Sequence, residues 1–532
     1  MTSATYQTAV SRVLAFLMVA ATAIGACSAA PVTNQATPTA STVAATAQPK
    51  KGGVLRVLLR VDAPNLDLAK DIGGSGYMYA DQLYDPLVTA NEANEILPGG
   101  VAESWTISPD NLTYTFKLRQ NVKFHSGRAM TSEDVKYTID RIRNPATASP
   151  RRANFAAVSS IDVSDPYTVV FRLSQPFAPL LANLASFQSG IVDRDVAEKP
   201  GGLNAAEGGT GPFVLTEWVK DTRVVLTRNP NYWRAGYPLL DGITVTFNAD
   251  DNARAAAIRS GAVDFLYKAD AAFIDALKQD SNLLVSGGRS KSFSVFNMNL
   301  TKKPFDDVRV RQAIFYAINR EEVRDTANSG FGAVLNGGFQ PDGQWAAIQS
   351  IYGKPDIAKS KALLAEAGYA SGFNATCDVI STSAFHVRGI QTVQQQLKAV
   401  GIQIEIRPLE SGRYQQSGSS GDFQCQYGGS GIGAGVDLDE RFSQQFITGA
   451  GANYAKFSDR ELDDLVQKGR TTTGRNEREK FYQDAQRILA TRGPMAFTYA
   501  FADFDVVVKK VKGYVFDITP TYRSFQETWL DQ

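Results

Sequence analysis

Histidine and cysteine are scarce in this sequence, which has two histidines and three cysteines among 532 residues. Transition-metal sites in proteins are built largely from clustered histidine and cysteine side chains. Because His125 and His386 are far apart in the chain and neither lies in such a cluster, the sequence predicts no metal site. We expect His125 to make a loop-bracing hydrogen bond. For His386, which follows a Ser/Thr loop, solvent exposure and ligand contact are both open.

A charge excess is also absent, since 55 basic residues face 54 acidic ones and the net charge is +1. Proteins that bind nucleic acid carry a basic excess or a basic stripe that matches the phosphate backbone. The sequence therefore predicts no nucleic-acid partner.

The common catalytic motifs are missing as well, because there is neither a Gly-x-Ser-x-Gly elbow nor a phosphate-binding loop. Residues 429–434 (GSGIGA) match a dinucleotide fingerprint, but no hydrophobic helix follows them and no acidic residue stands about 20 positions later. Glycines at these positions favour a flexible loop that lies over a cleft. We therefore expect that the protein is not an enzyme and binds no cofactor.

The first 27 residues have the form of an export signal, in which Arg12 precedes a short apolar core at residues 13–24. The end of this segment, Ile24-Gly-Ala-Cys27, resembles the lipobox of bacterial lipoproteins. That resemblance implies a diacylated Cys27 at the mature N-terminus, and the alternative is a plain secretory signal. Residues 28–50, rich in Ala, Thr and Pro, predict a flexible tether. We expect an extracytoplasmic protein, anchored to the outer face of the cell membrane or periplasmic.

A chain of 532 residues exceeds what one hydrophobic core usually serves, so at least two lobes are expected. Strand and helix patterns alternate along it, which predicts an α/β fold. Residues 113–118 (TYTFKL) alternate as a half-buried strand does, and Thr131 marks a helix start. Further on, a helix is predicted over residues 389–400, and Ser458-x-x-Glu461 matches a capping box.

A specific series of residues carries a family resemblance. It comprises ESW at 103–105, SPD at 108–110, YTFKLR at 114–119, VKFH at 122–125, Gly127, TSEDV at 131–135 and TGPF at 210–213. This series resembles the signature of family 5 extracellular solute-binding proteins, which include the peptide, dipeptide and nickel receptors of ABC importers. The resemblance covers about residues 52–530. It implies a two-lobed periplasmic-binding-protein fold, type II-like, with an extra subdomain inserted in the first lobe.

The resemblance also implies how the chain is divided. Lobe I would comprise residues 51–85, 201–285 and 501–532, the inserted subdomain residues 86–200, and lobe II residues 286–500. The chain would cross between the lobes near 285–296 and 496–503, and these crossings would form the hinge.

For function, the resemblance implies a receptor that binds a small solute between its lobes and delivers it to the permease of an ABC importer. The expected partners are a short peptide or other small molecule, the permease subunits and the membrane through the lipid anchor, and the receptor would act as a monomer. Members of the family take peptides, nickel complexes, sugars and opines. Two other classes are considered: an exported hydrolase acting on peptides or glycans, and a solute sensor without a transport role.

Ligand contacts are expected from aromatic and polar residues in loops and at strand ends that face between the lobes. These residues are Asn65, Tyr77, Asn297, Asn299, Phe385, Tyr427, Asp437, Tyr454 and Tyr499.

The recognition loop departs from the family's peptide-binding pattern. Peptide receptors resemble W-x-x-D-Y-x-D-P there, with an Asp that pairs the α-amino group of the peptide. Here Ala434 stands at that Asp position and Leu438 replaces the proline. Asp437, Asp439 or Glu440 could supply the missing charge, although surface solvation is expected for the last two. Peptides with a free amino group are therefore expected to bind weakly.

Two cysteines lie in strand-like runs of the folded body, Cys377 and Cys425. An exported protein can oxidise such a pair. A disulfide and a pair of buried free thiols are equally open.

Overall fold

The computed structural model describes residues 48–532 except residues 71–72, 92–93, 205–206, 432–434, 520 and 532. The predicted export signal, including Cys27, and most of the predicted tether therefore lie outside the described residues. Residues Pro49–Gln532 form one compact unit. Within the part of the chain that is described, none of the helices combines the length and the apolar character needed to cross a membrane.

The strands of the described residues belong to two large sheets, one four-stranded sheet and two two-stranded sheets. In chain order they are β1 (Val54–Leu59), β2 (Thr89–Ala90), β3 (Ile96–Leu97), β4 (Ala102–Ile107), β5 (Thr113–Leu118), β6 (Val158–Asp165), β7 (Thr168–Leu173), β8 (Phe213–Val219), β9 (Arg223–Arg228), β10 (Gly242–Phe247), β11 (Phe265–Leu266), β12 (Leu283–Arg289), β13 (Phe293–Met298), β14 (Ala333–Val334), β15 (Phe373–Ile380), β16 (Ile402–Leu409), β17 (Cys425–Ser430), β18 (Met495–Ala500), β19 (Asp503–Val508), β20 (Val511–Lys512) and β21 (Trp529–Leu530).

The α-helices alternate with these strands, as expected of an α/β protein. They are α1 (Gly73–Leu83), α2 (Ser132–Arg143), α3 (Leu180–Ala185), α4 (Arg194–Ala197), α5 (Asp251–Arg259), α6 (Ile274–Lys278), α7 (Val308–Ala317), α8 (Arg320–Asn328), α9 (Ile357–Glu366), α10 (Ala384–Lys398), α11 (Ser411–Ser420), α12 (Asp439–Arg441), α13 (Arg460–Thr471) and α14 (Arg475–Arg492).

Lobe I is built on a mixed seven-stranded sheet with the order β12-β19-β11-β1-β10-β9-β8. β1 lies near its centre and runs parallel to both β10 and β11. Along β1, Leu55, Val57 and Leu59 pack into a core that includes residues of α1, whereas Leu58 packs into a second core with Ile258 of α5. Apolar side chains on both faces are typical of a strand covered by helices on both sides.

The inserted subdomain is built on the antiparallel sheet β4-β5-β7-β6, against which α2 packs. β5 has the predicted bounds, Thr113–Leu118, and α2 begins directly after Thr131 as predicted. The backbone N–H of Thr131 donates to the Asp134 carboxylate over 2.9 Å, which satisfies one donor at the helix end. Both predictions for this segment are confirmed.

His125 fixes the inserted subdomain to lobe I. Its Nδ1 lies 2.6 Å from Glu207 Oε1 and its Nε2 lies 3.0 Å from the carbonyl oxygen of Gly211. Burial lowers the pKa of His125, but the hydrogen bond and charge of Glu207 outweigh it, so the pKa is raised overall. The predicted loop-bracing role is confirmed, and the bond also holds two parts of the protein together.

Lobe II is built on the six-stranded sheet β14-β18-β13-β17-β15-β16. Its central strand β13 is buried at all six positions. One core contains residues of β13, α7, α8, α9 and α10, and a second core on the other side contains residues of α13 and α14. The sheet is therefore covered on both faces.

The chain passes between the two large sheets at two places, which we call the crossings. Residues 290–292 join β12 to β13, and residues 501–502 join β18 to β19, within the segments predicted from the sequence. The N–H of Phe501 donates to the carbonyl oxygen of Ser292 over 3.0 Å, and Ser290 Oγ donates to Asp503 Oδ2 over 2.8 Å. The crossings are therefore bonded to each other; the exact domain boundaries stay a prediction.

Two local predictions are wrong. Helix α10 begins at Ala384 rather than at residue 389, so Phe385 and His386 lie in its first turn instead of in a loop. Helix α13 is capped by Asp459, whose side chain accepts from the N–H of Leu462 over 3.1 Å, and not by Ser458. The predicted start of α10, Gly389, is an interior position of the helix, and the predicted cap of α13, Ser458, stands one residue before the true cap.

Cys377 and Cys425 lie side by side as register partners on the parallel strands β15 and β17. Both are fully buried and both are free thiols. Of the two predicted alternatives, the structure therefore contains the pair of buried thiols and not the disulfide. Burial, followed by the contact with Cys425, raises the pKa of the Cys377 thiol.

Candidate functional site

Five aromatic side chains, four from lobe II and one from the second crossing, gather beside the crossings, and we call them the aromatic cluster: Phe385, His386, Tyr427, Tyr499 and Phe501. The first two come from α10, the next two from β17 and β18, and Phe501 lies in the second crossing. The ring of Phe385 lies 4.2 Å from His386 and 5.7 Å from Phe501, and Tyr499 lies 5.3 Å from Phe501, measured between centroids. α10, β17, β18 and the crossing thus converge on one spot next to the hinge.

Several polar atoms of the aromatic cluster have no hydrogen-bond partner within the described part of the chain. Tyr427 Oη accepts a hydrogen bond from Ser294 Oγ over 2.9 Å. The Tyr499 hydroxyl and both ring nitrogens of His386, however, have no hydrogen-bond partner among the described residues. Unpaired buried groups of this kind are rare in proteins, because each carries a desolvation cost of about 1–3 kcal/mol.

His386 is a neutral imidazole in this setting. Only 7% of it is exposed, so the predicted alternative of a solvated histidine is wrong. Burial lowers the pKa of His386 to about 3. A neutral imidazole offers one N–H donor and one acceptor nitrogen. Together with the Tyr499 hydroxyl, it can hydrogen-bond a polar but uncharged group of a ligand.

Lobe I meets lobe II beside the same spot. The ring of Phe504 in β19 lies 5.1 Å from the ring of Phe331, which precedes β14. Phe501, a member of the aromatic cluster, lies two residues before β19 of lobe I. We call the region where the aromatic cluster adjoins lobe I the hinge crevice.

The lobes also touch away from the crossings. Asn154 Nδ2 of the inserted subdomain donates to Glu440 Oε1 of lobe II over 3.3 Å, and the N–H of Ala178 donates to the carbonyl oxygen of Arg470 over 2.8 Å. The arrangement is therefore a closed one.

The structure brings together only part of the predicted contact residues. Phe385, Tyr427 and Tyr499 meet in the aromatic cluster. In lobe I, Asn65 Oδ1 accepts from the N–H of Asp67 over 3.0 Å, and the ring of Tyr77 packs 4.9 Å from Phe187. These two lie in the loop after β1 and in α1.

Asn297, Asn299 and Tyr454 lie towards the other end of the lobe II sheet. Asn299 Nδ2 donates to the carbonyl oxygens of Gly421 and Phe423, and its Oδ1 accepts from Thr301. Its amide is therefore fully used within lobe II. Asn297 pairs in register with Gln426, and Tyr454 lies close to Gly418, which places both in the same region.

Asp437 lies in a separate cavity between the inserted subdomain and lobe II, which we call the arginine cavity. The cavity is lined by Asn94, Ile96, Ala178, Leu181, Ala182, Lys291, Gln340, Gln344, Trp345, Gly435, Val436, Asp437, Leu438, Arg441, Arg475 and Arg478. Both oxygens of Asp437 accept hydrogen bonds from Arg478 Nη2 over 2.9 Å. The carboxylate of Asp437 is therefore already balanced by a cation.

Asp439 and Glu440 are buried rather than solvated, which overturns the prediction for both. Asp439 Oδ1 accepts from Arg470 Nε over 2.8 Å and from the Tyr482 hydroxyl over 3.1 Å. Glu440 Oε1 accepts from Asn154 and from Gln444. All three acidic residues after the recognition loop are thus engaged by other protein groups.

Sequence reasoning missed Phe501 and Ser294 in the hinge crevice, and Lys291, Trp345 and Arg441 in the arginine cavity. Phe501 follows a predicted strand end at a predicted crossing, a position that could have pointed to it. The others come from distant parts of the chain, and no local pattern marks them.

Comparison with known proteins identifies the family. The family described as "Bacterial extracellular solute-binding proteins, family 5 Middle" matches residues 97–454. The glutathione-binding protein GsiB of Escherichia coli (strain K12) is 30% identical over 404 residues, which cover 74% of this chain and 78% of that protein.

Solved structures show the same fold. The periplasmic binding protein DppA from Helicobacter pylori, in complex with the peptide STSA, has a TM-score of 0.83 at 28% identity and covers 91% of this chain and 99% of its own. AgaA from A. tumefaciens R10, in complex with agropinic acid, has a TM-score of 0.82 at 28% identity and covers 90% and 99%. The predicted two-lobed α/β fold is therefore confirmed. The chain belongs to the family 5 bacterial extracellular solute-binding proteins, and it is a receptor that binds a solute and delivers it to an ABC importer.

Proposed function

We propose that the solute binds in the hinge crevice, against the aromatic cluster. The observation that supports this most directly is the set of buried polar atoms without partners, on His386 and Tyr499, beside the segments that connect the lobes. Aromatic surfaces with a few convergent polar groups are typical of small-ligand sites. A ligand in this position would pair the free donors and acceptors and remove their desolvation cost.

Binding there would also favour the closed arrangement. The two crossings serve as the hinge, between lobe I (51–85, 201–285 and 501–532, with the insert 86–200) and lobe II (286–500). A solute that contacts both lobes binds the closed form better than the open one, and this difference in affinity shifts the population towards closure. The closed receptor then docks, as a monomer, on the permease and releases the solute chemically unchanged.

The ligand is a small polar organic molecule. The relatives named above bind glutathione, a peptide and agropinic acid. In this chain the neutral His386 and the Tyr499 hydroxyl suit an uncharged polar group, whereas Asp437, Asp439 and Glu440 are engaged elsewhere. A free α-amino group would therefore find no unpaired carboxylate in this segment.

Native mass spectrometry of the purified full chain should reveal a co-purified small solute, and calorimetry should show dissociation constants above about 1 mM for dipeptides with a free amino group. The physical reason is that an ammonium group loses its hydration without gaining a counter-charge. Micromolar binding of free-amine dipeptides would overturn the ligand assignment. A solute that leaves the protein chemically altered would point instead to the hydrolase alternative.

We further propose that the protein is held at the membrane by a diacylglycerol on Cys27. Two acyl chains are enough for stable anchoring. In membrane fractionation, the Cys27→Ala variant should move from the membrane pellet to the soluble extracytoplasmic fraction. A Ser28→Ala variant serves as the matched control and should stay in the pellet. Membrane retention of the Cys27 variant would contradict the anchor.

A further inference from the structure

The arginine cavity lies outside the hinge crevice, between the inserted subdomain and lobe II. Asn94, Ile96 and Leu181 line it from the subdomain, and Trp345 and Arg478 line it from lobe II. The volume open to the centres of water-sized spheres is about 210 Å³. By the same measure a single water needs roughly 10–15 Å³. The cavity therefore has room for a small organic molecule.

Positive charge dominates the lining of the cavity. Lys291, Arg441, Arg475 and Arg478 face a single carboxylate, that of Asp437. Arg478 already pairs with this carboxylate through two hydrogen bonds. Three cations of the lining are thus left without a carboxylate from the lining itself.

Two of these cations are bonded to uncharged atoms. Lys291 Nζ donates to the carbonyl oxygen of Gly435 over 2.8 Å and to Asn94 Oδ1 over 3.2 Å. Arg441 is 2% exposed and donates to Ser430 and to the carbonyl oxygen of Lys291. Within the described ranges neither forms an ion pair within 4.0 Å. Burial lowers the pKa of Lys291 to about 8, against the opposing charges of Asp517, Glu440 and Asp437, and it lowers the pKa of Arg441 to about 9, against the opposing charge of Glu440.

Trp345 adds a hydrogen-bond donor to this charged lining. Its indole N–H is buried and has no hydrogen-bond partner among the described residues. The guanidinium groups of Arg475 and Arg478 lie 5.2 Å and 5.4 Å from the centroid of its ring. A carboxylate oxygen is an acceptor that suits both an unpaired N–H and a neighbouring guanidinium such as that of Arg475.

We propose that the arginine cavity is a second ligand site, which binds a small organic carboxylate between the inserted subdomain and lobe II. The carboxylate would accept hydrogen bonds from Lys291 and the indole of Trp345 and would neutralise the excess charge, while its carbon skeleton packs on Ile96, Leu181 and Val436. This goes beyond the proposed function, because the site shares no residue with the aromatic cluster. A ligand there bridges subdomain and lobe, so its binding stabilises the closed arrangement.

The test is calorimetry and thermal unfolding of the full chain with succinate, inorganic phosphate and, as an uncharged analogue, succinamide, all at constant ionic strength set with chloride. Succinate should bind saturably and raise the unfolding temperature, and succinamide should do neither. Lys291→Gln and Arg475→Gln should each weaken succinate binding by about tenfold or more, because each removes a positive charge from the lining that the carboxylate would face.

Arg460→Gln is the matched control, since Arg460 is 95% exposed on α13 and is not part of the lining, and it should bind succinate as the unchanged protein does. Arg475 is exposed, so its variant should fold even if the Lys291 variant does not. Absence of saturable succinate binding, or equal binding by the Arg475 and Arg460 variants, would overturn the proposal. Phosphate binding as tight as that of succinate would overturn its assignment to a carboxylate.

Discussion

Replacing Arg478 with methionine should lower the free energy of unfolding by about 3–5 kcal/mol, the cost of removing one partner of a buried ion pair. The side chains of Arg478 and Asp437 are only 10% and 12% exposed. Burial lowers the pKa of Arg478, but the charge of Asp437 outweighs it and the pKa is raised overall. Without the guanidinium, Asp437 would stay buried without its two hydrogen bonds from Arg478, and the bond from Arg478 Nε to the carbonyl oxygen of Gly469 would also be lost.

Denaturant unfolding of two further variants makes this prediction specific. The double variant Asp437→Leu/Arg478→Met should recover most of the loss, because neither member of the ion pair is then left without the other. Arg487→Met removes an exposed partner of Asp484, with both side chains more than half exposed, and should cost no more than about 0.5 kcal/mol. If Arg478→Met is no more destabilising than Arg487→Met, the pair does not carry the stability assigned to it.

Local patterns in the sequence are sufficient where a segment's own residues decide its structure. The strand Thr113–Leu118 and the helix that begins after Thr131 follow from side-chain alternation and from the Thr131–Asp134 hydrogen bond, all within about 20 residues. The start of α10 was misplaced because Gly389 resembles a helix boundary when only neighbours are considered. In the structure Gly389 is an interior helix position, and a tertiary contact with Tyr427 explains the glycine.

The site depends on contacts that no local pattern encodes. Asn299 was predicted to contact the ligand because it ends a strand, but the amide is used by the backbone of Gly421 and Phe423, more than a hundred residues away. Lys291 and Trp345 were not predicted to contact a ligand, because no local pattern marks them. They line a cavity only because the inserted subdomain meets lobe II in the folded protein. Charges such as Asp439 looked solvated because their partners, Arg470 and Tyr482, are distant in sequence.

Gly389→Ala tests the link between this packing and solute binding, and two opposing effects decide its sign. Alanine in a helix interior is favoured over glycine by about 1 kcal/mol. A Cβ at position 389, however, would lie 2.4 Å from Tyr427 Oη and 2.7 Å from two carbons of its ring. Tyr427 is fully buried and is bonded to Ser294, so it cannot move aside without disturbing the aromatic cluster. Overpacking of this kind typically costs about 1–3 kcal/mol, which outweighs the gain in helix propensity from glycine to alanine.

We therefore expect Gly389→Ala to be destabilising overall and, by displacing Tyr427 within the aromatic cluster, to weaken retention of the co-purified solute by about tenfold or more in native mass spectrometry. Gly412→Ala on α11 is the matched control, because a Cβ there meets nothing within 4 Å and Gly412 is exposed. Gly412→Ala should raise the free energy of unfolding by only about 0.4–1 kcal/mol, because alanine lowers the backbone entropy of the unfolded chain, and it should leave solute retention unchanged. If both variants behave alike, Gly389 is not required for the position of Tyr427. If Gly389→Ala loses stability but retains the solute, the aromatic cluster is a packing feature and the solute lies elsewhere between the lobes.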